Sequence, residues 1–306
     1  MAIAAFTGAP PTQDNEPAVR RKSGIALVLL LPGVLYLVLF FLTPLISLII
    51  TSFQAPVPDG DIGQYQAAFQ WTNYTDAISE YWPQIIRSFA YALIATAAAL
   101  VISYPLAYFI GVKMRGRPVL QNLLMTLVIA PFFISFLLRT LAWKAILSDD
   151  AWIASSLKAL SILPPDAHIT GTPFSVIFGL TYNFIPFMTL PLYATLERLD
   201  VRLLEAGQDL YANAWTTFRK VTVPLSMPGI VSGTLLTFIP AAGDYINASQ
   251  DFLGAADTSM MGNVIESNFL VLQNYPAAAA MSVILMAVIL VIVGVYVRRS
   301  GTEDLL

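Results

Sequence analysis

The sequence predicts an all-α polytopic membrane protein with six transmembrane helices. Of its 306 residues, 57% are hydrophobic and only 11% are charged, whereas a soluble domain carries about 25% charged residues. Six apolar runs cover residues 25–53, 89–112, 119–143, 174–196, 223–242 and 277–297. Each run reaches the roughly 20 residues that a helix needs to cross a hydrocarbon core of about 30 Å.

The distribution of basic residues predicts the orientation. With the N-terminus inside, 12 of the 16 Lys and Arg residues lie in cytoplasmic segments, as the positive-inside rule requires. Both termini are therefore expected in the cytoplasm. The predicted organisation is an N-terminal tail over 1–24, a six-helix membrane domain over 25–297 and a C-terminal tail over 298–306.

The three external segments, 54–88, 144–173 and 243–276, are rich in carboxylates. They hold 11 of the 19 acidic residues. An acidic outer mouth would attract cations. The alternative is that these acids are only the complement of the positive-inside rule.

Several classes of chemistry are excluded. The chain has no cysteine, so it has no disulfide, thiolate nucleophile or cysteine metal site, and its single histidine, His168, rules out an HExxH zinc motif. No GxxxxGK[ST] motif occurs, and no glycine precedes a lysine. The chain therefore cannot hydrolyse ATP by the P-loop route, and ATP-driven transport would need a separate ATPase subunit.

A polar stretch over residues 200–229, DVRLLEAGQDLYANAWTTFRKVTVPLSMPG, lies between the fourth and fifth apolar runs. It is expected to form an amphipathic helix that lies on the membrane surface or offers a face to a partner. The predicted apolar face consists of Leu203, Ala206, Leu210 and Ala214, and the opposite face carries Arg202, Glu205 and Asp209.

This stretch resembles the EAA loop of ABC-importer permeases, at EAG (205–207), DL (209–210), Trp215, Phe218 and VPL (223–225). In that family the loop forms a coupling helix that docks into a groove of the ATPase subunit, which implies a coupling loop over 198–223. The residues to which the resemblance assigns the coupling role are Glu205, Ala206, Gly207, Asp209, Leu210 and Tyr211. Two positions depart from the pattern, because Gly207 stands where a second alanine is common and Tyr211 where a glycine usually breaks the helix. Since glycine supplies backbone freedom, the bend is expected at Gly207.

A second set of residues is similar to the spermidine/putrescine branch of these permeases: LRTLAW at 138–143, YNFIPF at 182–187 and FIPAAGDY at 238–245. The resemblance covers about residues 25–297. It implies a type I ABC-importer permease (MetI-like) fold in the cytoplasmic (inner) membrane of a prokaryote, and the import of polyamines by alternating access. It also implies a second permease subunit in a heterodimer, two ATPase subunits that bind the ATP and Mg, and an extracytoplasmic substrate-binding protein. No cofactor on this chain and no nucleic-acid partner are implied.

Two alternatives remain open. Importers of amino acids, sugars, thiamine or metal ions share much of this scaffold. A secondary transporter driven by an ion gradient would place ionisable residues or broken helices near the membrane midplane, whereas the six apolar cores carry no ionisable residue away from their ends.

A polyamine path needs carboxylates spaced along aromatic walls. The candidate path residues are Asp244, Tyr245, Tyr182, Glu266, Arg139 and Trp143. For the tyrosines the alternative is an interfacial aromatic belt, and for Asp244 it is a carboxylate at a helix end. On a straight helix, Arg139 would lie roughly 30 Å from the inner end, where it either snorkels to the interface or forms an ion pair that holds an outer gate.

Two further features concern helix packing. Pro131 lies near the middle of the third run and is expected to kink that helix, either for packing or as a flexible gate. Gly229 and Gly233 form a GxxxG pattern that lets another helix approach closely.

Overall fold

The computed structural model describes residues 23–209 and 211–299. The predicted tails fall mainly in 1–22 and 300–306, outside the described residues. The described chain is mostly helical and divides into two compact units, one ending at Ser47 and the other beginning at Leu48.

The first unit comprises α1 (Ser23–Leu37), a π-helical turn (Val38–Leu42) and the start of α2 (Thr43–Ser52). Nearly all of its large apolar side chains from Val28 onward are exposed, as expected of a helix that faces lipid or another subunit.

The second unit contains the remaining elements. A short hairpin, β1 (Ala55–Pro56) and β2 (Tyr65–Gln66), precedes the long helix α3 (Thr72–Tyr108), which continues as a π turn (Phe109–Lys113). The other helices are α4 (Pro118–Ile129), α5 (Phe136–Leu147), α6 (Trp152–Ala159), α7 (Pro173–Arg198), α8 (Val201–Asp209), α9 (Ala214–Thr217), α10 (Val223–Leu225), α11 (Met227–Ala242), α12 (Met261–Glu266) and α13 (Tyr275–Arg299).

Helix α7 lies at the centre of this unit. In its most apolar window 61% of residues are buried, against 33% for α3 and 22% for α13. One apolar cluster joins α3, α7 and α11 through Ala92, Leu180 and Phe238, and a second joins α3 to the other half of α7 through Ala99 and Leu192. The small side chains of α3 allow this close packing of helix against helix.

The described part of the chain has four helices that are long and apolar enough to span a membrane, or six if each of two bent pairs counts as one span. The expectation of six spans therefore holds when the bent pairs are included. The third and fifth spans are the bent ones, with angles of 94° and 66°.

The kink expected at Pro131 in the run 119–143 is confirmed, with an angle of 94° between the two halves of the span. The chain forms a 3₁₀ turn at Ala130–Phe133 and is extended at Ile134 and Ser135 before α5 begins. Pro131 lies in this turn, where it has no backbone N–H to continue the helical hydrogen bonds. The expected kink is thus a full break, and the straight-helix distance to Arg139 does not apply.

The second span begins much earlier than its apolar run. Helix α3 starts at Thr72 rather than at residue 89, so the second half of the predicted loop 54–88 is helical. The Asn73 side chain donates to the carbonyls of Ser52 and Gln54, at 2.9 Å each, and ties this first turn to the end of α2. Hydropathy alone misses these turns because their residues are polar.

Candidate functional site

The EAA-like segment (residues 198–223) begins with a well-capped helix. The Asp200 carboxylate accepts a hydrogen bond from the Arg202 backbone N–H at 3.0 Å, as an N-cap residue does. Helix α8 then runs over Val201–Asp209, and most of its charged side chains are exposed.

Helix α8 continues through Gly207 and ends at Asp209, so the expected position of the bend is wrong. Tyr211 adopts a left-handed backbone conformation, with φ of 56°. The Ala212 N–H donates to the Gly207 carbonyl at 3.1 Å, which is the closing bond of a Schellman motif. Glycine usually occupies the left-handed position of that motif, and an L-residue there costs roughly 1–2 kcal/mol.

Gly207 serves close packing instead of a bend. A methyl group at this position would lie 3.2 Å from Oγ1 and 3.3 Å from Cγ2 of Thr217. Thr217 is buried on α9. The glycine therefore lets α8 approach α9 closely.

The apolar face of α8 differs from the one predicted. Leu204 is the buried residue, whereas Leu203 (47% exposed) and Ala206 are exposed. Ala214 belongs to the separate helix α9, and Leu210 lies outside the described residues. The side of α8 that carries Leu203 and Ala206 is therefore exposed, as are the carboxylates of Glu205 and Asp209.

An aromatic series connects the EAA-like segment to the helix bundle. Trp215 is 68% exposed and stacks on Phe218, with 5.5 Å between ring centroids. Phe218 meets the ring of Tyr104 on α3 edge-on at 5.4 Å. The Tyr104 hydroxyl in turn shares a 2.7 Å hydrogen bond with Ser226, the residue at the bend between α10 and α11.

The expected GxxxG packing is confirmed between α11 and α7. A methyl group on Gly229 would lie 2.6 Å from Oγ1 of Thr195 and 2.9 Å from the Pro191 carbonyl oxygen. On Gly233 it would lie 2.8 Å from Sδ and 3.0 Å from the carbonyl oxygen of Met188. The two helices that flank the EAA-like segment are therefore in backbone-level contact.

Arg115 ties the end of α3 to the end of α7. Its guanidinium donates to the carbonyls of Leu196, Glu197 and Leu199 at 2.6–2.8 Å and to that of Gly111 at 3.1 Å. A cation at a helix C-terminus satisfies the last carbonyls and complements the helix dipole. Arg115 thus fixes α7 where it leads into α8.

Arg115→Ala is expected to lower the free energy of unfolding by about 2 kcal/mol, because hydrogen bonds to a charged group contribute about 1.5–3 kcal/mol and water can replace part of them here. Arg115→Lys should recover only part of the loss, since an ammonium cannot reproduce the planar fork. Thermal unfolding of the purified protein measures both changes. Equal stability of Arg115→Ala and wild type would contradict the role assigned to Arg115.

Three of the six candidate path residues lie together beside the break in the third span. Trp143 meets Tyr182 edge-on at 5.1 Å, and the Arg139 guanidinium lies 5.7 Å from the Phe136 ring centroid. Arg139 is only 8% exposed, and its Nε and Nη1 have no hydrogen-bond partner among the described residues. The ion pair considered for an outer gate is not formed within the described chain.

Asp244 belongs to a buried polar network that sequence reasoning missed. Its carboxylate accepts from the backbone N–H and from Nδ2 of Asn247, at 2.7 and 3.1 Å. Asn183 on α7 donates to Oδ1 of Asn247 and to Oγ1 of Thr140 on α5. The network links α5, α7 and the segment after α11, and Asp244 itself is 7% exposed.

Burial raises the pKa of the Asp244 carboxyl from 3.8 to about 6, although hydrogen bonds from Asn247 act to lower it. The folded protein therefore binds more protons than the unfolded chain between these pH values, and this group's contribution to stability falls as the pH rises from about 4 through 6. The full change is on the order of 3 kcal/mol. We expect the difference in melting temperature between wild type and Asp244→Asn to be more favourable to wild type at pH 4 than at pH 7. A difference that does not change with pH would contradict this expectation.

Tyr245 and Glu266 lie apart from the aromatic group. Glu266 lines a cleft of about 400 Å³ together with Asp251, Gln250 and Asn263, and Asn263 also donates to the Tyr245 carbonyl. Burial and the charge of Asp251 raise the pKa of Glu266. Neither carboxylate forms a salt bridge with a described basic side chain, although Lys144 donates to the Gln250 and Asp251 carbonyls.

This arrangement defines the class of the protein. The described helices long and apolar enough to span a membrane form a bundle, and the sequence has no P-loop motif. A short exposed helix, α8, lies in the chain between α7 and α11, which are in backbone-level contact. Such an arrangement is typical of the permease subunit of a transporter. Residues 103–300 match the family described as the binding-protein-dependent transport system inner membrane component. The chain belongs to this family of ABC-importer permeases and, within it, to the spermidine/putrescine permease branch.

The similar proteins agree with this assignment. The spermidine/putrescine transport system permease protein PotB of Escherichia coli K12 is 38% identical over 267 residues, which cover 87% of this chain and 94% of that protein. The PotB protein of Haemophilus influenzae is 36% identical over 87% and 90%. The inner membrane ABC transporter permease protein YdcU of E. coli is 28% identical over 81% and 79%.

Solved structures share the fold at low sequence identity. A chain of a bacterial ABC transporter that imports the acidic polysaccharide alginate superposes with a TM-score of 0.64 at 17% identity, over 92% of this chain and 96% of that one. A chain of the inward-facing MetNI methionine ABC transporter gives 0.54 at 18% identity, over 71% and 93%. These likenesses establish the type I permease fold.

Proposed function

We propose that this chain is a permease subunit of an ATP-binding cassette importer that moves polyamines, such as spermidine and putrescine, across the cytoplasmic membrane. The observation that carries the proposal is the EAA-like segment. Its helix α8 follows the central span α7 after two residues and contacts α9 through Gly207, while the side that carries Leu203 and Ala206 is exposed. A helix held in this way can transmit a movement, and its exposed side has no partner among the described residues.

The proposed mechanism is alternating access driven by a separate ATPase. Binding of ATP closes the ATPase dimer and moves α8, with Glu205, Ala206, Gly207, Asp209, Leu210 and Tyr211 as the coupling residues. Arg115 passes this movement to α3 and α7, and the Gly229–Thr195 contact keeps α11 in step with α7. Directionality follows if the path binds substrate more tightly in one state than in the other.

The proposed assembly places two permease subunits, of which this chain is one in a heterodimer, on two ATPase subunits. The ATPases bind the ATP and Mg, while this chain carries no cofactor of its own. An extracytoplasmic binding protein delivers substrate. Both termini, and the loop over 198–223, lie in the cytoplasm, and the membrane domain covers 25–297.

A cationic substrate fits the chemistry of the cleft beside α12. Glu266 and Asp251 offer two carboxylates on the wall of one cavity, and a flexible chain of ammonium groups can pair with both. Deeper in the bundle, Tyr182 and Trp143 offer aromatic faces to a cation. Asp244 and Tyr245 lie between these regions along the chain, and Arg139 is proposed to set the electrostatic barrier of the path.

The alternatives make different predictions. A buried arginine next to a broken helix is also a feature of gradient-driven transporters, but 38% identity to a spermidine/putrescine permease over 87% of the chain favours the importer. The experiment is uptake of labelled spermidine by cells that express the whole operon, with unlabelled putrescine, amino acids, sugars, thiamine and metal salts as competitors. If only putrescine competes with spermidine, the polyamine assignment is supported. If another class of compound competes, the substrate is assigned to that class instead.

A further inference from the structure

Tyr211 is an aromatic residue held in a conformation that disfavours it. Four non-glycine residues of the described chain have positive φ values, and the other three are Asp59, Ser161 and Gln273. Tyr211 is the only aromatic residue among these four. Its side chain is 100% exposed, so it packs against no described residue that would offset the unfavourable backbone.

The EAA-like segment carries other exposed side chains suited to a protein partner. Trp215 and Leu203 are large and exposed, as Tyr211 is. Trp215 is fixed by stacking on Phe218, so one of these three side chains is rigid. Aromatic side chains of this kind dominate binding when they fill a pocket of a partner.

The carboxylates nearest to Tyr211 in the sequence argue for a protein and against a lipid surface. Glu205 and Asp209 are exposed on the helix that leads to Tyr211, and the exposed Arg202 lies further from Tyr211 along the same helix. Anionic headgroups attract basic segments and repel carboxylates. An exposed aromatic residue beside two carboxylates fits a pocket in a protein whose rim is polar or basic.

We propose that Tyr211 is the anchor by which this permease selects its own ATPase subunit, with its ring inserted into a pocket of that subunit. The proposal rests on the proposed function, in which α8 contacts an ATPase. It goes further by assigning affinity and partner choice to one side chain. The left-handed turn presents the ring at the tip of the segment, where an ATPase adapted to a glycine at this position would have no pocket for it.

The first test is photo-crosslinking in membranes that contain the whole transporter. Tyr211 is replaced by p-benzoylphenylalanine, which keeps an aromatic ring, and Trp152 on α6, 73% exposed, receives the same group as the matched control. The expected result is a crosslink from position 211 to the ATPase subunit and none to it from position 152. A crosslink from 211 to lipid or to the other permease, without one to the ATPase, would overturn the proposal.

The second test separates the anchor from the fold. Tyr211→Gly should keep or raise the melting temperature, because glycine adopts this backbone freely, and should weaken retention of the permease by tagged ATPase at least tenfold. Tyr211→Phe should retain most of the affinity. If Tyr211→Gly is retained by the ATPase as well as wild type is, while Glu205→Ala is retained less well, Tyr211 is not the anchor. That result would leave the proposed function standing. Failure of the wild-type permease to associate with the ATPase would refute both.

Discussion

Glu205→Ala is expected to reduce uptake of labelled spermidine on the order of 100-fold while the permease still accumulates in the membrane. Glu205 is exposed on α8, and its carboxylate forms no salt bridge within the described chain. Its removal therefore leaves the fold unchanged. If the carboxylate is buried against a charged group of the ATPase, its truncation costs about 2–5 kcal/mol, and each 1.4 kcal/mol is a factor of ten.

The matched control is Asp76→Ala, which removes an exposed carboxylate from the first turns of α3. It should leave uptake within about twofold of wild type. ATP hydrolysis is measured in the same membranes. A loss of coupling lowers the uptake per ATP hydrolysed, whereas a smaller amount of transporter would lower uptake and hydrolysis together. Normal uptake by Glu205→Ala would remove the coupling role from α8.

Gly229→Val is expected to prevent stable packing of α11 on α7. A β-carbon there would already lie 2.6 Å from Oγ1 of Thr195 and 2.9 Å from a backbone oxygen of α7, and valine adds two further methyl groups. The Thr195 hydroxyl could rotate, but the Pro191 carbonyl can move only if the helices separate. Overpacking of this kind costs about 1–3 kcal/mol or more, so both the melting temperature and uptake should fall sharply.

Gly294→Val is the control for this change. Gly294 lies in α13, and a methyl group there would have no neighbour within 4 Å. Valine should be tolerated at this position, with a melting temperature close to that of wild type. If the two variants were equally stable, the contact between α7 and α11 would not have the importance assigned to it.

The sequence predicted features that depend on local composition. The long apolar runs identified the spans, Pro131 marked the break in the third span, and Gly229 with Gly233 indicated a close helix contact. The EAA-like segment was located because its motif is contiguous. Each of these signals lies within a few residues of the structure it specifies.

Features set by tertiary contacts could not be predicted in the same way. Leu203 and Leu204 are equally apolar, and only the fold around α8 decides that Leu204 is the buried one. Glycine at 207 suggested a bend, but the close approach of Thr217 explains it better. Arg115 is far in sequence from the carbonyls it binds, so nothing local marked it. The 94° angle between the two halves of the third span was likewise not specified by the proline in the sequence.

The same limit applies to the candidate path. Asp244, Tyr182 and Glu266 were selected by residue type and by position near span ends. The structure assigns Asp244 to a buried network with Asn247 and Asn183, whereas Glu266 lines an open cleft. Residue type could not separate these two environments, because the difference depends on the fold of the 244–271 region.

The central claim is that this chain moves polyamines only when an ATPase acts on it through α8. The most direct measurement is accumulation of labelled spermidine and putrescine by cells that express the complete operon, compared with cells in which only the ATPase gene is deleted. Both polyamines should accumulate in the first cells and neither should accumulate above background in the second. Accumulation that persists without the ATPase would contradict the account and indicate a transporter driven by an ion gradient.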